Sequence, residues 1–380
     1  MRTINVGVLG ATGTVGQRFI LLLGTHPYFR LHALGASARS VGHRYSDITA
    51  WKQTQPIPVI AKDLIVQPCS PEHFKDVEIV FSGLDAEVAG GIELAFRHAG
   101  FAVFSNAKNH RRDPTVPLIV PLVNTSHLAI LPYQQSLLLD SHPNHGFIVT
   151  NANCAATGCA VPLAALQRAF GPIESAMITT MQAISGAGYP GVPSMDIFDN
   201  VIPYIGGGEE DKLEWELSKI LGDIGDQDGK VIELAVESNN VKLFVLSGIR
   251  VSAACNRVPV LEGHTECVSV RFARRPAPKV EDVIKVLKSY TCEAQSLKCP
   301  SAPKHALIVH DEQDRPQPRL DRDVQSGAGV SVGRVRECKV MDIKFVLMAN
   351  NVAIGAATSS LINAEVAVEK GYIHPPTSVN

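Results

Sequence analysis

The stretch TINVGVLGATGTVGQRFILLL, opening at Thr3, constrains the fold more than any other part of the chain. A short β-branched run leads into Gly7, Gly10, Gly13 and Gly16, spaced three apart, and then into an amphipathic helical pattern. A sharp strand-to-helix turn needs glycine where φ is positive and where backbone must approach a phosphate. Past the turn, from Gly10, Thr12 and Gly13 to Thr14 and Val15, the helix start offers N–H groups to an anion. A glycine motif alone is weak evidence, and its strand–turn–helix setting is what gives it weight. The pattern predicts a nucleotide-binding α/β domain.

The next strand, LHALGASARS (residues 31–40), sharpens the expectation. A site selective for NAD usually ends this strand in an acid that holds the ribose 2′-OH. Here the strand ends in Ser37, Arg39 and Ser40. Two hydroxyls around a guanidinium suit a 2′-phosphate, so the predicted cofactor is NADP, with an ordinary solvated loop as the alternative. VEIVFSGLD (77–85) reads as a further buried parallel strand. Its turn at Ser82 and Gly83 should line the site, as should the turn at Ser105 and Asn106, because doubly wound sheets bind ligands beyond the carboxyl ends of their strands.

A chain of 380 residues accommodates two domains, and 45% hydrophobic against 19% charged residues supports a large core. Thirty-five basic against 37 acidic residues, a net charge of −2, argues against nucleic-acid binding. None of the eight cysteines falls in a C-x-x-C pair, so neither a disulfide framework nor a zinc site is expected, and no metal is predicted. The N-terminus enters an apolar strand at once, and no apolar run is long enough for a bilayer. The expectation is a cytoplasmic protein without a membrane partner. No internal repeat appears.

The chemistry concentrates in the middle of the chain. NANCAATGCA (151–160) places Cys154 at the start of a helix rich in small residues. It reads either as a buried thiol or as a nucleophile whose thiolate the helix terminus favours. Gln182 lies in an apolar strand, so it is either a satisfied core amide or a group that orients a substrate. GGGEEDKLEWELSKIL, from Gly206, reads as a loop and a helix whose acidic start suits the helix dipole. Arg257 and His264 fall in alternating strand sequence. A histidine could serve as proton partner to Cys154, but among 13 histidines spacing alone does not single out His264.

Taken together, GVLGATGTVGQRF, SNAKNHRRDPTVPLIVPLVN, NANCAATG, QAISGAGYPGVPSMDIFDNVIPYIGG, EEDKLEWE and NRVPVLEGHTE resemble the aspartate-semialdehyde dehydrogenase family, in its fungal and archaeal branch. The resemblance covers nearly the whole chain. It implies a Rossmann-type NADP domain and an α+β catalytic domain, the glyceraldehyde-phosphate-dehydrogenase-like arrangement. The expected boundaries are 1–152, joined by a C-terminal helix in 351–380, and 153–350. The implied reaction is reversible, NADP-dependent reduction of 4-phospho-L-aspartate to L-aspartate 4-semialdehyde through a cysteine thioester. By resemblance Cys154 is the nucleophile, His264 the general acid/base and Gln182 the orienting residue. Arg257 takes the α-carboxylate and Glu209 the α-ammonium, Arg111 (rather than Arg112) and Lys212 bind phosphate, and Asn153 also touches substrate. Ser185, Gly186 and Asn351 are placed near the cofactor. A homodimer or homotetramer built on the central sheet is implied.

The chain departs from the family pattern in three places: Ile354 stands where Arg is common, NCAATG replaces a more Ser/Thr-rich run, and Cys159 adds a second thiol. Loss of an arginine at 354 predicts weaker NADP binding. Reductases of CoA thioesters or of N-acetylated acyl phosphates are the nearest alternatives. The first has no use for a phosphate pocket at Lys212 and Arg111, and the second has no free ammonium for Glu209. A non-catalytic NADP sensor and a cysteine hydrolase are the alternatives from other classes.

Overall fold

The computed structural model describes residues 3–137, 146–225 and 243–373, so the ends of the expected nucleotide domain, 1–2 and 374–380, lie outside the described residues. Contacts divide the chain into two compact units. The first comprises Met1–Ile119, Ser126–Asn151 and Ser360–Asn380, and the second Val120–Thr125 and Ala152–Ser359.

The first unit is built on seven strands: β1 (Ile4–Leu9), β2 (Phe29–Ala36), β3 (Gln67–Pro68), β4 (Ile79–Ser82), β5 (Ala102–Ser105), β6 (Leu118–Ile119) and β7 (Phe147–Asn151). They pair in the order β3-β2-β1-β4-β5-β7-β6, all parallel. Parallel sheets covered on both faces need unbroken apolar strands. Accordingly β4, β5 and β7 are buried at every position. The strand order reverses between β1 and β4, which is where such sheets open a ligand crevice. Helix α1 (Thr14–Leu23) follows β1 and buries Gly16, Phe19, Ile20 and Leu23, the spacing of one helical face. Helix α2 (Ala86–His98) follows β4.

The second unit carries helix α3 (Cys154–Phe170), strand β8 (Ile173–Gln182) and helix α4 (Glu209–Ile220). A short antiparallel pair follows, β9 (Asp223–Gly225) with β10 (Leu243–Val245). Strands β11 (Arg250–Arg257), β12 (His264–Phe272), β13 (Leu307–Val309), β14 (Val330–Glu337) and β15 (Ile343–Ala349) complete the unit, with helix α5 (Val280–Ser289) after β12. The mixed sheet runs β11-β8-β12-β15-β14-β13. Every residue of α3 from Ala155 to Leu166 is buried, which is why that stretch is so rich in small side chains. Gly158 is one such site, since a Cβ there would come within 3.0 Å of the Ala349 Cβ. Met177, Thr179 and Cys267 are exposed on neighbouring strands, so part of the sheet is uncovered in a single chain.

Register matters most for function. Gln182 pairs with Arg257 between β8 and β11, and Met181 pairs with Thr265 between β8 and β12. The end of β8, the end of β11 and the start of β12 therefore meet at one edge. The last described helix is α6 (Thr358–Glu369), entered through a π-turn at Ala353–Ala357. Among the described residues no helix is long and apolar enough to cross a membrane.

Candidate active site

Cys154 is the first residue of α3, and the element is capped by the residue before it. The Asn153 side-chain oxygen accepts the N–H groups of Ala155 and Ala156, at 2.9 and 3.2 Å. This satisfies two of the four orphan donors of a helix start. It also takes those two groups out of contention as oxyanion donors, a role the helix start would otherwise suggest. Two carboxylates from α4 hold Asn153 in turn. Glu209 Oε1 accepts its side-chain N–H at 2.8 Å, and Glu216 Oε2 accepts its backbone N–H at 2.5 Å. Glu209 and Glu216 are seven residues apart, two helical turns, so they share one face.

The sheet edge supplies the facing groups. His264 Nε2 stands 3.1 Å from Cys154 Sγ, and the Ala183 N–H donates to His264 Nδ1 at 3.1 Å. His264 is fully buried. Burial, reinforced by the Arg257 guanidinium and opposed by Glu209, pulls its pKa down to about 3. Arg257 Nη1 donates to the Ala183 carbonyl at 2.7 Å. Gln182 donates from Nε2 to Glu209 Oε1 at 3.0 Å. A carboxylate only accepts, so the Gln182 amide must turn its oxygen the other way, and that buried Oε1 has no hydrogen-bond partner among the described residues. Lys212 Nζ lies 3.0 Å from Glu209 Oε2. Burial pushes the Glu209 carboxyl up, but Lys212 and the amide donors of Gln182 and Asn153 outweigh it, and the net shift is down.

These groups enclose a cavity of about 320 Å³, lined by Cys154, Gln182, Glu209, Lys212, Arg257 and His264 together with a glycine-rich rim that includes Gly186, Gly206 and Gly207. At Gly186 a Cβ would sit 2.9 Å from Arg257 Nη1 and 3.3 Å from His264 Cε1, so a side chain there would displace the guanidinium. One thiol, one imidazole, one guanidinium, one ammonium and one carboxylate thus converge on a small volume. That set can hold a zwitterion with a second anionic end while a thiolate attacks it.

The remaining predicted residues fall in distinct places. Ser185 and Asn351 are in the second unit, and Asn351 bridges two turns. Its Nδ2 donates to Ser185 Oγ at 2.8 Å, and its Oδ1 accepts the Gly263 N–H at 2.9 Å. Arg111 belongs to the first unit, where it is buried and donates to the Asn106 carbonyl at 2.9 Å. Gly10, Thr12, Gly13, Thr14 and Val15 form the β1–α1 turn. Gly10 has φ +73°, and a Cβ there would strike the Gly83 carbonyl oxygen at 2.7 Å. At Gly16 a Cβ would strike the Gly10 oxygen at 2.1 Å. Ser82 ends β4, next to Gly83, and Ser37, Arg39 and Ser40 follow β2, with Arg39 exposed. Ile354 is fully buried within the second unit. Among the described residues no three His, Cys, Asp or Glu side chains are grouped to hold a metal.

Two features of the site escape a reading of residue types. Glu216 sits inside EEDKLEWE, and only its spacing from Glu209 points to it. The Ala183 N–H leaves no trace in sequence.

Residues 5–131 match the family model described as semialdehyde dehydrogenase, NAD binding domain, and residues 163–354 match its dimerisation domain. The chain is 59% identical to the aspartate-semialdehyde dehydrogenase of Cryptococcus neoformans, over 97% of this chain and 98% of that one. It is 53% identical to the Saccharomyces cerevisiae enzyme of the same name, again over 97% of this chain and 98% of that one. A crystal structure of aspartate semialdehyde dehydrogenase with NADP from Candida albicans superposes with a TM-score of 0.87 at 50% identity, covering 98% of this chain and all of that one. With both halves matched and such relatives aligned end to end, the chain belongs to the aspartate-semialdehyde dehydrogenase family.

Proposed function

We propose that the protein interconverts 4-phospho-L-aspartate and L-aspartate 4-semialdehyde with NADP, as a step in lysine, methionine and threonine biosynthesis. The observation that carries this reading is the 3.1 Å contact between Cys154 and His264 inside a cavity that also holds Arg257, Glu209 and Lys212.

The residues divide the work by charge. The Arg257 fork takes the α-carboxylate of the substrate, and Glu209, whose pKa is lowered, takes the α-ammonium. Lys212 holds the phosphoryl group. The buried Gln182 oxygen accepts from a substrate donor, which orients the acyl chain. Cys154 attacks the acyl phosphate, phosphate leaves, and a thioester remains that is far more electrophilic than a carboxylate. His264 is the proton partner of the sulfur.

The first unit fits the dinucleotide. The N-terminus of α1 has no side-chain cap, so its N–H groups suit a pyrophosphate, and the Gly10 turn leaves no room for side chains there. Ser37, Arg39 and Ser40 suit the 2′-phosphate that distinguishes NADP. NADPH, when bound, supplies the hydride that reduces the thioester.

A homodimer or homotetramer formed through the exposed part of the β8–β12 sheet suits the matched dimerisation domain. Cytoplasmic residence suits eight cysteines that form no disulfide among the described residues. We assign 1–152 with 351–380 to NADP and 153–350 to catalysis and assembly. The test is NADPH formation from L-aspartate 4-semialdehyde and NADP, with and without added phosphate. Phosphate-dependent turnover is expected. A protein that binds NADP yet turns over only CoA thioesters or N-acetylated substrates would sink the reading.

A further inference from the structure

Each carbonyl of the β1–α1 turn, from Gly10 to Thr14, accepts from a donor of the protein. Gly10 accepts the Gly13 N–H at 3.0 Å, and Gly13 accepts the Gln17 N–H at 2.9 Å. Ala11 accepts the buried Tyr45 hydroxyl at 2.9 Å. Thr12 accepts Gln17 Nε2 at 2.9 Å, and Thr14 accepts Gln53 Nε2 at 3.4 Å. The side-chain donors come from α1 itself and from the segment that follows β2.

Gln17 is the centre of this arrangement, and it is 1% exposed. Its Nε2 also donates to the Ala50 carbonyl at 3.1 Å, and its Oε1 accepts the Lys52 N–H at 2.7 Å. An amide has two N–H donors on one atom and an acceptor on the other, so both ends are used. Carbonyls at one end and an N–H at the other leave the amide only one way to point. The side chain thus ties the turn to residues 50–52.

The consequence follows from peptide geometry. A carbonyl oxygen carries partial negative charge, and one turned toward a phosphate repels it. An anion-binding turn must present N–H groups and send its C=O groups elsewhere. In a planar trans peptide the C=O and the next N–H point in opposite directions. Tyr45 therefore fixes the Ala11–Thr12 peptide and aims the Thr12 N–H, while Gln17 fixes the Thr12–Gly13 peptide.

We infer that Gln17, together with Tyr45, positions the β1–α1 turn for the pyrophosphate of the dinucleotide by holding the Thr12 and Ala11 carbonyls away from the anion. The inference rests on the NADP reading above. Both are positioning residues that act through the backbone. Their contribution belongs to the part of the cofactor that NADP and NAD share, which sets them apart from Arg39.

The test is binding to the full-length protein, without turnover. Wild type, Gln17→Met and Tyr45→Phe are titrated with NADP, with NAD and with adenosine 2′-monophosphate, which keeps the 2′-phosphate but lacks the pyrophosphate. Calorimetry reads the dinucleotides, and ligand-observed NMR reads the weaker fragment. Methionine has the length of glutamine and neither N–H donor. Gln17→Met should weaken NADP and NAD alike by about tenfold or more, and adenosine 2′-monophosphate by less than about twofold. Tyr45→Phe removes one neutral hydrogen bond and should weaken both dinucleotides by about two- to tenfold, again sparing the fragment. It carries the test by itself if Gln17→Met does not fold. A loss shared by all three ligands overturns the inference, because it marks general damage to the first unit. So does unchanged dinucleotide binding, or weakening of NADP alone. A wild type that binds neither dinucleotide overturns the NADP reading itself, and the inference with it, before any variant is made.

Discussion

Asn153 and Glu209 share a 2.8 Å hydrogen bond that ties the cap of α3, the helix that Cys154 opens, to the first turn of α4. The same Asn153 side chain caps α3 with its oxygen and donates to Glu209 with its nitrogen. Glu209, the proposed site for the substrate ammonium, and the placement of Cys154 are therefore mechanically joined.

That double role separates two substitutions. Asn153→Asp keeps an oxygen for the Ala155 and Ala156 N–H groups but sets a second carboxylate against Glu209. Asn153→Ala loses both contacts. Alanine should cost about 1 kcal/mol of stability in urea unfolding, the worth of a cap. Aspartate should keep most of that stability while kcat/KM for the semialdehyde falls by about tenfold or more, because Glu209 then binds an ammonium less well. Equal kinetics in wild type and Asn153→Asp would show that the Glu209 contact is idle.

Glu216 makes a similar case by a different route. Its buried carboxylate accepts the Asn153 N–H. Glu216→Ala leaves a buried donor without that acceptor, at a cost of about 1–3 kcal/mol. Glu216→Gln keeps an oxygen at the same reach and should cost less. The readout is the denaturant midpoint of each variant, and the idea fails if alanine and glutamine are equally mild.

How far the site is legible in sequence follows from the kind of group involved. The Gly10 turn is legible because backbone that must reach φ +73° beside a carbonyl admits only glycine. Cys154 is legible as a helix-start thiol, but the buried and the nucleophilic readings share one local pattern. What separates them is His264, which lies 110 residues on and meets Cys154 only through the register of β8, β11 and β12. The Ala183 N–H belongs to a residue whose side chain says nothing. Glu216 is hidden because a helix of EEDKLEWE type reads as solvated surface until its second turn is seen to face Asn153. For Arg111, sequence offers the guanidinium but not its hold on the Asn106 carbonyl.

Against α3, Glu266 is fully buried and accepts from the Cys159 thiol. Burial is the main cause that lifts its pKa from 4.5 to about 8. A carboxyl raised on folding binds its proton more tightly in the native state. Its contribution to stability is complete below pH 4.5 and is lost as pH climbs through about 8. Glu266→Gln has no proton to lose. The melting temperature of wild type should therefore fall more steeply than that of Glu266→Gln between about pH 6 and about pH 9. Parallel curves would mean that Glu266 ionises normally.

Arg39 is exposed after β2, where the 2′-phosphate is proposed to lie. Arg39→Ala should weaken NADP binding by about ten- to a hundredfold, the worth of a charged hydrogen bond, and leave NAD nearly unchanged. Calorimetric titration with both dinucleotides measures the ratio. Equal losses would assign Arg39 to general packing or to the shared part of the cofactor.

Gly355 tests how tightly Cys154 is held. It lies in the π-turn before α6, and a Cβ there would come 2.9 Å from the Cys154 Cβ and 3.3 Å from its Cα. Alanine suits a helical backbone better than glycine does, so any penalty must come from that contact. The Cβ of Cys154 is backbone-borne and cannot swing aside, so relief requires the start of α3 to shift by a few tenths of an ångström. The Sγ to His264 contact at 3.1 Å shifts with it. A misplacement of about 1 Å can cost about a hundredfold, so this smaller shift in Gly355→Ala should lower kcat by about two- to tenfold. NADP affinity, which the Gly10 turn and Arg39 are proposed to set, should survive better than kcat. Unchanged kcat would show that the helix start yields freely and that Cys154 is positioned by its cap alone.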